Sequence, residues 1–215
     1  MLGTLFQNPL VFLLSAVALL VAITIHEFAH AYAADKLGDP TPRLMGRLTL
    51  NPLAHLDPIG TILLVFIGFG WGKPVMFDAY NLKNPRRDAA IIALAGPFSN
   101  LLLASVFSII LRVWSSPLSS LSLYSPILTP FIYYNILLAV FNLIPIHPLD
   151  GGKILVGLLP SDIGHTLDRF MQRYGLWVLL LLIFPVFGGV SIINSIISPV
   201  ISVLRHIYVP SGQFI

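Results

Sequence analysis

PLVFLLSAVALLVAITIHEFAHAYAA, running from Pro9 to Ala34, decides what kind of chain this is, because it carries no charge until His26 and Glu27. At about 1.5 Å of rise per residue, a helix of about 26 residues is longer than the ~30 Å hydrocarbon thickness of a bilayer. The rest of the chain has the same character: 56% of its 215 residues are hydrophobic and only 10% are charged, far from the balance of a soluble domain. Apolar runs recur along the whole length, so the first is expected to be retained as a span and not removed as a secretion signal. There are no cysteines, which excludes a disulfide framework, a thiolate zinc site and a cysteine nucleophile. The net charge of +3 lies between apolar spans and forms no single stripe, so the bases read as topology signals and no nucleic-acid partner is expected.

Two more runs are long enough to cross. Ala89 to Trp114 is interrupted by Gly96-Pro97 and a late Arg112, and Ile127 to Ile146 follows it. Between the first two spans, Ile59 to Trp71 is apolar but, at about 13 residues, too short to cross comfortably as a helix. Lys36, Arg43 and Arg47 precede this stretch and Lys73, Lys83, Arg86 and Arg87 follow it. A crossing there would place positive charge on both sides, so the stretch is expected to dip in and return, lining a cavity that satisfies its backbone. The loops then alternate: no Lys or Arg before Pro9, seven in 35–88, none in 115–126 and three in 147–174.

Tyr174 to Tyr208 is apolar but broken by Pro185, Gly188-Gly189 and Pro199, and fits either one bent span or a two-span hairpin. The expected architecture is therefore an all-α polytopic membrane protein with three core transmembrane helices, a re-entrant segment and one or two C-terminal transmembrane helices. It is expected to form a single membrane-embedded domain over residues 1–215, with the core at about 9–154 and the C-terminal spans at about 174–208. Its oligomeric state is not legible.

His26 and His30 are four residues apart, about 40° around a helix, so both imidazoles can chelate one metal ion. Glu27 beside them is a candidate general base, since a metal-bound water needs a carboxylate to take its proton. Three ionisable groups in five residues of a span cost several kcal/mol each unless paired or coordinated, which favours a metal site over hydrogen-bonded core histidines. The third ligand must lie at the same depth. Along the first span His26 comes ~25 Å and His30 ~31 Å from Pro9; along the parallel third span Asn142 comes ~22 Å and Asp150 ~34 Å from Ile127. Asp150 would complete a set of two His and one Asp with an open fourth position for water. His147 could also reach a metal, but Pro148 interrupts any helix that would align the two. His55 and Asp57 read as turn and capping residues, His165 and His206 as solvated or interfacial, and Lys73 as a snorkelling anchor. Gly96, Pro97 and Asn100 suit close helix packing and an interhelical hydrogen bond near the site.

His26-Glu27-Phe28-Ala29-His30, followed by Asn142-Leu143-Ile144-Pro145-Ile146-His147-Pro148-Leu149-Asp150-Gly151-Gly152, resembles the site-2 protease family of intramembrane zinc metallopeptidases. Further matches are Asn51, Pro52, His55, Asp57 and Pro58, the stretch from Gly70 to Val75, and Ala95 to Asn100, so the resemblance covers about residues 23–154. It implies that His26, His30 and Asp150 bind one zinc ion, that Glu27 activates water and that Asn142 helps polarise the substrate carbonyl. It also implies cleavage of membrane-anchored proteins within or near a transmembrane helix, often regulators such as anti-sigma factors or transcription-factor precursors, and a re-entrant β-loop over residues 59–71. The site would lie near the cytoplasmic side of a prokaryotic cell membrane. Departures are His147, where the family usually has proline, and the lack of a PDZ module or CBS pair. A metal-ion transporter and a non-catalytic scaffold are the alternatives; no paired repeat of the transporter kind is visible.

Overall fold

The computed structural model describes residues 2–67, 70–116, 119–185 and 191–210. Its helices are α1 (Leu2–Gln7), α2 (Pro9–Lys36), α3 (Thr41–Leu44), α4 (Pro58–Ile67), α5 (Pro85–Trp114), α6 (Thr129–Asn142), α7 (Asp150–Leu158), α8 (Ser161–Ile183) and α9 (Ile192–Tyr208). Proline recurs in the first turn of α2, α3, α4, α5 and α6, where its missing N–H costs nothing and its fixed φ suits a helix start. At α2 the start is reinforced by Asn8, whose side chain accepts a hydrogen bond from Val11 N at 3.2 Å. Three segments are long and apolar enough to cross a membrane: Pro9–Lys36, Pro85–Trp114 and Ser122–Asn142. This is an all-α polytopic membrane protein.

α5 is the central helix and packs against α2, α6, α7 and α9. The buried residues of α2 include Ala18, Ala22, His26, His30 and Ala34, spaced four apart along one ridge. Alanines on that ridge let the neighbouring helices approach closely, and the two histidines share their face. Ile132 and Ile136 of α6, Ala104 and Leu111 of α5 and Ile193, Ile197 and Ile201 of α9 form the main apolar core.

The third span differs from expectation at its end. A 3₁₀ turn at Ser122–Leu128 leads into α6, which stops at Asn142, and the chain then makes turns up to Leu149. Pro145 and Pro148 have no N–H to continue a helical ladder, and the His147–Pro148 peptide is cis. The tail contains two helices, α8 and α9, in contact with one another; the Gly188-Gly189 break lies outside the described residues.

The stretch 59–71 does return to its starting point. Leu56 and Gly72 form an isolated antiparallel bridge, and Lys73 N donates to His55 O at 2.8 Å. Its outgoing limb, however, is helical and not the β-loop that the resemblance implies. Ten residues from Pro58 can satisfy their own backbone groups as α4, with Asp57 capping Gly60 N at 2.8 Å. Gly60 and Gly70 face each other so closely that a Cβ on either would strike the other limb's backbone.

Candidate metal centre

The two histidines leave α2 toward α5, where Gly96 makes room for them. A Cβ at position 96 would lie 2.5 Å from His30 Nε2 and 2.7 Å from His26 Cε1, so only a glycine admits both rings. The imidazoles meet edge to face with centroids 4.6 Å apart. Asp150 reaches them from the first residue of α7: its Oδ2 is 3.1 Å from His26 Nε2 and 3.2 Å from His30 Nε2, and the two Nε2 atoms are 3.0 Å apart. All three residues are at most 9% exposed. Gly151 and Gly152 permit this placement, because the turn after α6 folds back against them, with Ile144 O and His147 N where their Cβ atoms would be.

The outer nitrogens decide what the inner ones offer. His26 Nδ1 donates to Asn100 Oδ1 at 2.6 Å, and His30 Nδ1 donates to the carbonyl of Ile92 at 2.7 Å. Asn100 must face His26 with its oxygen, since its Nδ2 donates to Ala22 O (3.0 Å) and Asn135 Oδ1 (2.8 Å). Both rings therefore carry hydrogen on Nδ1 and turn the Nε2 lone pair inward, toward a carboxylate oxygen. Three electron-rich atoms this close and this far buried are stabilised by a cation held among them. Two imidazole nitrogens and a carboxylate oxygen are a donor set that fits zinc.

Glu27 lies outside the cluster. Its Oε2 accepts a hydrogen bond from Val75 N at 3.0 Å, so the extended chain after Gly70 passes directly over it. That chain is fixed by buried Arg47, which donates to Ala54 O, Lys73 O and Pro74 O.

A family model described as peptidase family M50 matches residues 14–121 and 112–186. The chain belongs to peptidase family M50, the site-2 protease family. A Bacillus subtilis protein named "Putative zinc metalloprotease YwhC" is 39% identical over 178 residues, covering 80% of this chain and 81% of the relative. "Putative zinc metalloprotease Rip2" of Mycolicibacterium smegmatis is 31% identical over 181 residues, with 81% and 68% covered. "Zinc metalloprotease MJ0392" of Methanocaldococcus jannaschii is 25% identical over 203 residues, with 86% and 51% covered. No solved structure matches. As an M50 peptidase this chain is a zinc metalloprotease, and the fit of the cluster to zinc agrees with that.

Of the residues singled out in the sequence, the structure brings together His26, His30 and Asp150, with Asn100 behind them. Asn142 is not among them: at the end of α6 its Nδ2 donates to Leu138 O of its own helix at 3.0 Å. His147 pairs with Asp168 of α8 at 3.0 Å. His55 is fully buried and hydrogen-bonded to Thr49 O at 2.8 Å, a structural role. Sequence reasoning missed Asn135, the Val75 contact with Glu27 and Asp168. Asn135 carried a signal, a polar residue inside an apolar span; a backbone N–H over Glu27 carried none.

Proposed function

We propose that this chain is an intramembrane endopeptidase of the His-Glu-x-x-His type, hydrolysing peptide bonds in or near transmembrane segments of membrane-anchored proteins such as single-span regulators. The observation that carries the reading is the buried cluster of two imidazoles and one carboxylate among apolar helices, with Glu27 next along α2. His26, His30 and Asp150 would hold the metal. When bound, zinc supplies a Lewis acid that polarises the scissile carbonyl and acidifies water.

The chain's own residues do the rest. Asn100 and the Ile92 carbonyl keep both imidazoles in the ligating tautomer. Val75 N–H holds Oε2 of Glu27, which orients the carboxylate and leaves Oε1 to take the water's proton and later pass it to the leaving amine. Asn142 is assigned to the substrate carbonyl; to serve it, the amide must rotate away from Leu138 O.

We place the site near the cytoplasmic side of a prokaryotic cell membrane. The support is the seven Lys and Arg residues of the 35–88 loop, against none before Pro9, and the bacterial and archaeal relatives. Family membership does not favour the transporter or scaffold alternatives.

The test reconstitutes the wild type and Glu27→Gln with a panel of tagged single-span proteins. Glu27→Gln is expected to keep about one zinc per chain but to lose cleavage by ~100-fold or more. Asp150→Asn is expected to lose zinc and activity together. Cleavage by Glu27→Gln at the wild-type rate would overturn the mechanism.

A further inference from the structure

A second polar site lies away from the metal cluster, where the start of α5 meets the end of α7 and the first turns of α8. It is a groove of about 540 Å³, and its lining includes Asn84, Arg86, Arg87, Gly157, Leu159 and His165. Arg86 is wedged into the wall. Its Nη2 donates to Val156 O at 2.9 Å and to Leu159 O, and Gly164 gives it room, since a Cβ there would lie 2.7 Å from that nitrogen. Its Nε is sealed from solvent without a hydrogen-bond partner.

Carbonyl oxygens orient this guanidinium but do not neutralise it. Among the described residues, no carboxylate lines the groove and neither Arg86 nor Arg87 joins an ion pair. Arg87 and His165 are exposed and approach from different helices, so two arginines and an imidazole border one shallow, open depression. A multivalent anion with several acceptor oxygens matches such a set, and arginine suits phosphate in particular.

The surroundings select the form of that anion. Arg86 and Arg87 lie in the first turn of Pro85–Trp114, a helix long and apolar enough to cross a membrane, and basic residues at the end of such a helix are placed to meet lipid headgroups. Two large apolar side chains close in sequence to the lining residues are exposed: Leu158, between Gly157 and Leu159, is 78% exposed, and Ile163, two residues before His165, is 56% exposed. Basic groups against exposed apolar ones form a surface for an amphipathic ligand.

We propose that this groove binds a phosphate group, and that the phosphate belongs to the headgroup of an anionic glycerophospholipid. The site is separate from the proteolytic cluster and depends only on the chain being in a membrane.

The experiment places the full chain in nanodiscs of phosphatidylcholine mixed with phosphatidylglycerol and counts retained lipid by native mass spectrometry. The wild type is expected to enrich phosphatidylglycerol over the bulk ratio by about fivefold per engaged cation. Arg87→Ala with His165→Ala should cut the enrichment to no more than the roughly fivefold that Arg86 alone supports, and Arg87→Lys should keep most of it. Both positions are exposed, so these variants are expected to fold. A parallel titration of inorganic phosphate, followed by ³¹P line broadening in lipid-free detergent, separates the sources. Phosphate binding lost in the double variant, without lipid enrichment, would keep the phosphate site and overturn the lipid assignment. Equal behaviour of wild type and double variant in both arms would overturn the proposal.

Discussion

Asn100 Oδ1 lies 2.6 Å from His26 Nδ1, and the same amide is pinned by Asn135 Oδ1 from α6 at 2.8 Å. Both asparagines are fully buried. The orientation of one zinc-fitting imidazole is thus set by a chain of amides that joins α2, α5 and α6.

If that chain selects the tautomer, removing the acceptor must weaken metal binding even in a folded protein. Asn100→Leu is expected to lower zinc affinity by about 10- to 100-fold, the usual cost of losing a partner behind a metal ligand. Asn100→Asp keeps an acceptor facing Nδ1 and should bind zinc more tightly than Asn100→Leu. Competition with a chromophoric chelator on monodisperse protein measures both. Equal affinity of Asn100→Leu and wild type would show that the amide does not set the ring.

Gly96→Ala tests the space around the rings. The added methyl would meet both imidazoles, and neither can swing aside without giving up its Nδ1 bond to Asn100 or Ile92 O. Alanine favours the helix by up to about 1 kcal/mol, so the fold should survive. Zinc occupancy is expected to drop at least about tenfold, with activity following it. Metal analysis showing full occupancy would mean that the cluster is looser than described.

Asp39 offers a pH test outside the membrane spans. Burial pushes its pKa up, but hydrogen bonds from Thr41 Oγ1, Asn81 Nδ2, Asp78 N and Thr41 N outweigh that and hold the carboxyl below the ordinary range. A depressed pKa means that the folded state prefers the ionised form. Its stabilisation is therefore complete above the ordinary carboxylate pKa and disappears as pH falls through the lower folded value. Asp39→Asn is expected to melt below the wild type at neutral pH, with the gap narrowing below about pH 4. A gap that stays constant on acidification would contradict this account.

The absence of cysteine makes the re-entrant geometry directly testable. Arg43→Cys and Lys83→Cys flank the stretch that leaves near Leu56 and returns at Gly72. An impermeant thiol reagent should label both from the same face of sealed vesicles. Labelling from opposite faces would make 59–71 a true span.

The sequence by itself determined the membrane class, the three crossing segments, the return of the 59–71 stretch and the candidate ligands. These depend on composition, run length, charge position and helical spacing, all of which are local along the chain. It also singled out Asp150 by depth along the third span, but the helix behind that count ends at Asn142, and Asp150 reaches the histidines from the start of α7 after a run of turns. Tertiary structure alone decided what surrounds those ligands. The acceptors behind His26 and His30 come from residues 74 and 62 positions away. The amide over Glu27 comes from 48 positions away. No periodicity encodes such pairings; they follow from how closely α2 and α5 approach, which Gly96 and the alanine ridge allow. The helical limb of the returning stretch and the pairing of His147 with Asp168 were likewise decided in three dimensions. At each, backbone hydrogen-bond satisfaction or a distant partner outweighed the local pattern.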